Sequence, residues 1–140
     1  MNAILKLDRT APAPFSFSAP FWEATRDRKI LLQFCRQTGQ PQFYPRPTSI
    51  FTGRRDLEWR EVSGHGTIYT YTIARVGAGA LRGCEPYIIV NVELDEGVNI
   101  IGNLVGCDVD ELFIGMRVRP HWQALSDGKH QLMFEPDSDR

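Results

Sequence analysis

The sequence predicts a mainly β protein: a short N-terminal helix, a knuckle-bearing ribbon and a five-stranded closed barrel. Three observations predict it. The stretch from Val62 to Val76, VSGHGTIYTYTIARV, is long for a strand and rich in β-branched and aromatic residues. Its apolar residues change face, with Ile68 and Val76 at even positions and Tyr69, Tyr71 and Ile73 at odd ones. A flat, half-buried strand alternates cleanly, whereas a strand that bends between two sheets suits a small barrel. The segment before it has the layout strand, Gly-containing knuckle, Pro-rich crossing, second Gly-containing knuckle, strand.

The chain has 140 residues, room for one domain or a small domain with an attachment. Hydrophobic residues make up 42%, enough for a core, so global disorder is excluded. Charge is uneven. Residues 1–60 hold ten Lys/Arg and five acids, a net +5, while residues 61–140 hold six basic and twelve acidic residues, a net −6. The first part is thus suited to meet an anion. Cys35, Cys84 and Cys107 are odd in number and widely spaced, which argues against a disulfide framework and for a reducing compartment. No apolar run approaches a membrane span, and Lys6, Asp8 and Arg9 interrupt the only apolar patch of the N-terminus, so the reading is a cytoplasmic protein without a signal peptide.

Residues 1–18 read as an extended arm, from Pro12, Pro14 and the alternating Phe15 and Phe17; a disordered tail is the alternative. Residues 19–60 read as the helix and ribbon. The helix begins near Ser18 with Pro20 in its first turn and runs to about Arg28, with Phe21, Trp22, Ala24 and Thr25 on its apolar side. So short a helix must pack on something: the barrel, or a partner through Phe21 and Trp22. Lys29 to Cys35, KILLQFC, is the first strand.

A metal ribbon needs Cys-x-x-Cys twice, because four thiolates complete a tetrahedral zinc site. Here the knuckles are Cys35-Arg-Gln-Thr38 and Ser49-Ile-Phe-Thr52. One thiolate of four remains, and normally protonated hydroxyls are poor zinc ligands, so the expectation is a ribbon without zinc.

Residues 61–136 read as the barrel. The loop from Gly77 to Pro86 is Gly-rich and expected to be mobile. Tyr87 to Leu94 alternates, with Ile88, Val90, Val92 and Leu94 on one face; Asp95-Glu96-Gly97 turns the chain into Val98–Val105. Asp108 and Glu111 read as a capping box on a short helical turn ended by Gly115. A helix between the third and fourth strands is the mark of an OB-fold. In the fourth strand Met116, Val118, Trp122 and Ala124 are expected inside, with Arg117, Arg119, His121 and Gln123 outside. Asp127-Gly128 leads to the strand His130–Glu135, and residues 137–140 read as a solvated tail.

These segments together resemble the DUF35 family. The residues that carry the likeness are PFWEATRDRKILLQFC, YPRP followed by a knuckle and DLEW, VSGHGTIYTYT, PYIIVNVELDEG, and NLVG followed by DELFIGMRV, covering about residues 19 to 125 in order. The resemblance implies an N-terminal helix, a rubredoxin-like zinc ribbon and a C-terminal OB-fold. Cys35, Thr38, Ser49 and Thr52 stand at its four ligand positions, and three depart from the pattern.

No catalytic constellation stands out. His65, His121 and His130 are each alone in sequence and suit surface or capping roles, and there is no Gly-x-Ser-x-Gly, phosphate loop or dinucleotide fingerprint. The protein by itself is not expected to be an enzyme. The resemblance implies instead an accessory subunit of a thiolase-like dimer in lipid metabolism, helping to form the partner interface or the acyl-CoA channel, with activity only in the complex. In that setting Arg26, Arg28, Lys29, Arg46, Arg54 and Arg55 are candidate contacts for coenzyme A phosphates, each equally readable as a solvated charge. No tightly bound cofactor is expected. The alternative is an OB-fold binder of single-stranded nucleic acid, stacking bases on Tyr69, Tyr71 and Trp122, but an acidic barrel opposes it. A stand-alone acyl-CoA carrier or sensor is a third reading.

Overall fold

A computed structural model describes residues 3–138 of the chain. After a 3-10 turn at Ala3–Lys6, helix α1 spans Ala19–Ala24 and tightens into a second 3-10 turn at Thr25–Asp27. Strands β1 (Ile30–Cys35), β2 (Pro41–Gln42) and β3 (Leu57–Val62) form an antiparallel sheet in the order β2-β1-β3. Strands β4 (Gly66–Ala74), β5 (Tyr87–Leu94), β6 (Asn99–Leu104), β7 (Arg117–Ala124) and β8 (His130–Pro136) close a barrel in the order β4-β5-β6-β8-β7. All barrel pairs are antiparallel except β6 with β8. Numbered within the barrel, the order is first, second, third, fifth, fourth, the connectivity of an OB-fold.

The long strand expected from Val62 is two strands. Residues 57–62 pair along their whole length with β1, from Ile30 opposite Val62 to Cys35 opposite Leu57. The barrel strand starts only at Gly66. Between them Gly64 takes φ +76, and a Cβ there would collide with the Ile30 side chain and sit 2.7 Å from Pro120. Glycine permits both the left-handed turn and the close seating of the sheet against the barrel. Further on, the register of β4 against β5 slips between Ile68 and Thr70. Tyr69 is the residue the register skips, and across this bulge the inward parity changes: Ile68 before it is 1% exposed, and Ile73 after it packs on the same core.

On β5 the alternation holds, with Ile88, Val90, Val92 and Leu94 all inside. On β7 it fails at the end: Gln123 is buried and Ala124 exposed. The arm explains this. Gln123 Nε2 donates to Ile4 O at 2.9 Å, and Arg9 Nη2 donates to Gln123 Oε1 at 2.7 Å, so the outward face is covered by the chain's own start. The arm is therefore not wholly extended. Its 3-10 turn packs Ile4, 1% exposed, against Val105 and Met133. The Asp108–Glu111 capping box is also absent: residues 109–111 form a 3-10 turn in which Glu111 N bonds the Asp108 backbone carbonyl, with no side-chain cap. The Glu111 N–H that an N-cap side chain would take is already given to the Asp108 carbonyl, at 3.0 Å.

The loop at 77–86 is tied down by Glu85, whose carboxylate accepts Gly77 N at 2.7 Å and Gly83 N at 2.5 Å. Its own backbone N–H, then that of Gly77, holds the Glu85 carboxyl below the usual range. Of the expected tail, Asp137 is pinned: its N donates to Arg117 O at 2.9 Å and its carboxylate meets His65 Nδ1 at 3.2 Å. Residues 139 and 140 lie outside the described residues.

One hydrophobic cluster joins the helix and the three-stranded sheet to the barrel. Phe21 from α1 and Ile30 and Leu32 from β1 share it with Ile68, Ile88, Val90 and Phe134 of the barrel. Thr25 and His130 add a polar tie, His130 N to Thr25 Oγ1 at 3.1 Å and His130 Nδ1 to Thr25 O at 2.8 Å. Among the described residues no helix is long and apolar enough to cross a membrane.

Candidate functional site

The two knuckles are built alike. In the first, Gly39 N donates to Cys35 O at 2.8 Å and Cys35 N to Gln40 O at 2.9 Å; in the second, Gly53 N donates to Ser49 O and Ser49 N to Arg54 O, each at 2.8 Å. Gly39 and Gly53 have φ +72 and +73, the left-handed geometry that closes each turn. Gln40 N donates to Thr38 Oγ1 at 3.3 Å, and Arg54 N to Thr52 Oγ1 at 3.2 Å. The frame of a four-ligand site is therefore intact at Cys35, Thr38, Ser49 and Thr52.

Its chemistry is not that of a zinc site. The hydroxyls of Ser49 and Thr38 hydrogen-bond the Cys35 sulfur; with the backbone N–H groups of Thr38 and Gln37 they bring the Cys35 thiol down to about 7. The three hydroxyl oxygens already accept backbone N–H groups, Ser49 Oγ from Phe51 N at 3.1 Å. A donor set of one thiol and three occupied hydroxyls does not fit a soft tetrahedral ion. Among the described residues no three His, Cys, Asp or Glu side chains gather to hold a metal.

A polar network beside the knuckles holds the crossing segment. Gln33 and Gln42 are both buried. Gln42 Nε2 donates to Gln33 Oε1 at 2.9 Å and to Thr48 O at 3.1 Å, and Gln42 Oε1 accepts Ile50 N at 2.9 Å. Gln33 grips Arg46 from both sides, donating to its O and accepting from its N, each at 2.8 Å. The two buried amides thus satisfy each other and four part-buried backbone groups, those of Arg46, Thr48 and Ile50. Sequence reading missed them because a glutamine in a strand carries no signal of burial; only opposition of β1 and β2, with Gln33 facing Gln42, reveals the pair.

The candidate cationic residues do not form one group. Arg26, at the end of α1, pairs with Glu23 at 3.0 Å and donates to Asp127 O at 3.0 Å. Arg28 follows in left-handed conformation, φ 56, and Lys29 leads into β1. Arg46 lies exposed on the crossing, and Arg54 and Arg55 lie exposed just past the second knuckle. The structure places Phe21 in the core at 7% exposure, while Trp22 is half-buried beside it, edge-on at 5.4 Å between centroids.

The histidines are not alone. His65 meets Asp137, His121 Nδ1 meets Glu135 at 3.3 Å, and His130 is buried against Thr25. Each fold contact was invisible at sequence separations of 14 or more. Ser63, two residues from His65, gives its hydroxyl to Glu96 at 2.7 Å instead of to the imidazole. Among the described residues no hydroxyl or thiol is paired with a histidine ring as a nucleophile would be. Cys84 and Cys107 are buried, and burial pushes the Cys107 thiol up.

An apolar surface patch stands on the barrel instead. Phe113 and Ile114, in the connection before β7, are 57% and 64% exposed, and Ile114 shares a shallow depression with Tyr69, which is 60% exposed. Tyr69 sits at the β4 bulge, next to the inward-facing Ile68.

Comparison with known proteins bears on this arrangement. Residues 59–123 match the family described as "ChsH2, C-terminal OB-fold domain". The chain is 29% identical over 109 residues to a DUF35 domain-containing scaffold protein of Methanocaldococcus jannaschii, covering 76% of this chain and 77% of that one. It is 32% identical over 114 residues to a probable enoyl-CoA hydratase alpha subunit of Thermomonospora curvata, covering 81% of this chain but 35% of that longer protein. Among solved structures, a chain of an "Ltp2-ChsH2(DUF35) aldolase" superposes with a TM-score of 0.81 at 29% identity, covering 90% of this chain and 98% of the other.

Proposed function

The chain belongs to the DUF35 family, and from that premise we propose that it is an accessory, non-catalytic subunit of an acyl-CoA-processing complex whose catalytic partner is a thiolase-like dimer. The observation that carries the reading is the superposition along nearly the whole length of a chain from the "Ltp2-ChsH2(DUF35) aldolase". Two features of the chain support it. The described residues assemble no nucleophile, base and oxyanion donor, and the Phe113–Ile114–Tyr69 patch offers an apolar contact for another polypeptide. The names of the relatives as a scaffold protein and a hydratase alpha subunit point the same way.

In this reading Arg46, Arg54 and Arg55 reach toward coenzyme A phosphates from the exposed side of the knuckle sheet, while Arg26 is held by Glu23 and Asp127. The ribbon is zinc-free, kept in shape by its hydroxyl–thiol cluster and by the glutamine pair. Co-purification with a thiolase-like protein encoded beside it, followed by assay of acyl-CoA turnover by each component and by the pair, tests the proposal. A stable complex at micromolar concentration with an activity the partner lacks alone is the expected result. Turnover by the isolated chain, or failure to associate, overturns it.

A further inference from the structure

A cleft of about 280 Å³ opens where the arm, α1, the crossing segment and the barrel meet. The arm supplies Phe15 and Phe17, stacked with centroids 5.3 Å apart and planes within 6°. The crossing supplies Phe43 and Tyr44, with centroids 4.3 Å apart. Phe21 bridges the two sides, 5.7 Å from the Phe43 ring. Ile100, Ile101 and Leu132 of the barrel line the remainder, and no charged side chain does. Beside the Tyr44 phenol, the polar side chains of the lining are Ser18, whose Oγ donates to Phe15 O at 3.2 Å, and Gln131, whose Nε2 donates to Leu132 O at 3.2 Å.

Phe21, Ile100 and Leu132 belong to the core, but core packing does not account for the rest of this lining. Phe15 is 70% exposed, Tyr44 54% and Ile101 58%. Nor is the aromatic wall a loose tail. On one side Ser126 N donates to Arg9 O at 2.9 Å and Ala11 N to Asp127 Oδ2 at 3.1 Å; on the other Ala19 N donates to Phe15 O at 2.9 Å. The arm is thus fastened to the barrel before Phe15 and to α1 after it, which holds the wall in place without a ligand.

We propose that this cleft is a binding site for a flat, uncharged, mainly apolar ring system. Aromatic walls reward a planar guest with offset face and edge contacts that a puckered ring of the same size does not make. A charged guest would lose its hydration with no ion to replace it. The volume lies at the small end of ligand pockets, suited to a two-ring group or to one end of a larger molecule. This site does not depend on the accessory-subunit reading, since it neither requires nor predicts a partner.

The test is a backbone-amide NMR titration of the full chain with 2-naphthol, and in parallel with decahydro-2-naphthol, which has the same bicyclic carbon skeleton without flatness. Tyr44→Ala and Ile101→Glu are the variants, both at exposed positions where thermal melts verify the fold. The proposal expects saturable shifts confined to the residues of the cleft, binding of the puckered alcohol weaker by roughly tenfold, and a loss of roughly fivefold in each variant. Absence of saturation, equal affinity for the two alcohols, unchanged affinity in either variant, or shifts centred on Phe113 and Ile114 overturns it. Partner association, measured separately, fails or succeeds on its own account.

Discussion

The side chain of Gln42 donates to the side chain of Gln33 across 2.9 Å, with both residues almost wholly inaccessible. Between them they hold the backbone of Arg46, Thr48 and Ile50. The crossing between the knuckles therefore has a fastening that uses no metal.

Gln42→Met, similar in shape but unable to hydrogen-bond, leaves Thr48 O and Ile50 N without their partner. A buried group stranded in this way costs about 1–3 kcal/mol; these two are part-buried, so the variant is expected to lose about 1–2 kcal/mol in all. Chemical denaturation measures it. The Gln33→Met/Gln42→Met pair should fall short of the sum of the singles, because each single also strands the other amide.

Thermal unfolding should be unchanged by a strong chelator or by added zinc, since the donors at Cys35, Thr38, Ser49 and Thr52 are committed to hydrogen bonds. The triple substitution Thr38→Cys, Ser49→Cys, Thr52→Cys rebuilds four thiolates on the intact knuckle frame. It should bind one zinc per chain, and chelator should then lower its melting temperature. Elemental analysis with paired melts checks both halves.

The Ser49 hydroxyl, then that of Thr38, favours the Cys35 thiolate and brings its pKa down to about 7. A thiol with a lowered folded pKa contributes stability that is complete above its unfolded pKa and is lost as pH falls through about 7. Stability attributable to Cys35 should thus grow from neutral to alkaline pH. Thiolate absorbance in a Cys84→Ala/Cys107→Ala background should titrate near 7, and Ser49→Ala should move that midpoint upward. A midpoint at the ordinary thiol value contradicts the arrangement.

Phe113→Ser with Ile114→Ser should leave the melting temperature nearly unchanged, because both side chains already face water. Association with a thiolase-like partner should weaken about tenfold or more if the patch supplies central contacts. Sedimentation or calorimetry with the purified partner reads this directly, and unaltered affinity would remove the patch from the interface.

The sequence by itself determined the class of fold, the order of its parts and the loss of three thiolates. Those follow from local facts: the alternation of Ile88, Val90, Val92 and Leu94, the repeated knuckle spacing, and the shifted apolar pattern that the bulge at Tyr69 explains. Only the tertiary structure decided where the strand from Val62 breaks, because Gly64 is dictated by Ile30 and Pro120 packing on it from distant parts of the chain. The same holds for Gln123, covered on the outward face by the arm at a separation of 119 residues, for the His65–Asp137 tie, and for the cleft that gathers Phe15, Tyr44 and Ile101. Periodicity reports what a residue's neighbours in sequence require of it; burial of a polar side chain, or the meeting of four separate segments, depends on which surfaces the closed barrel leaves for the rest of the chain to cover.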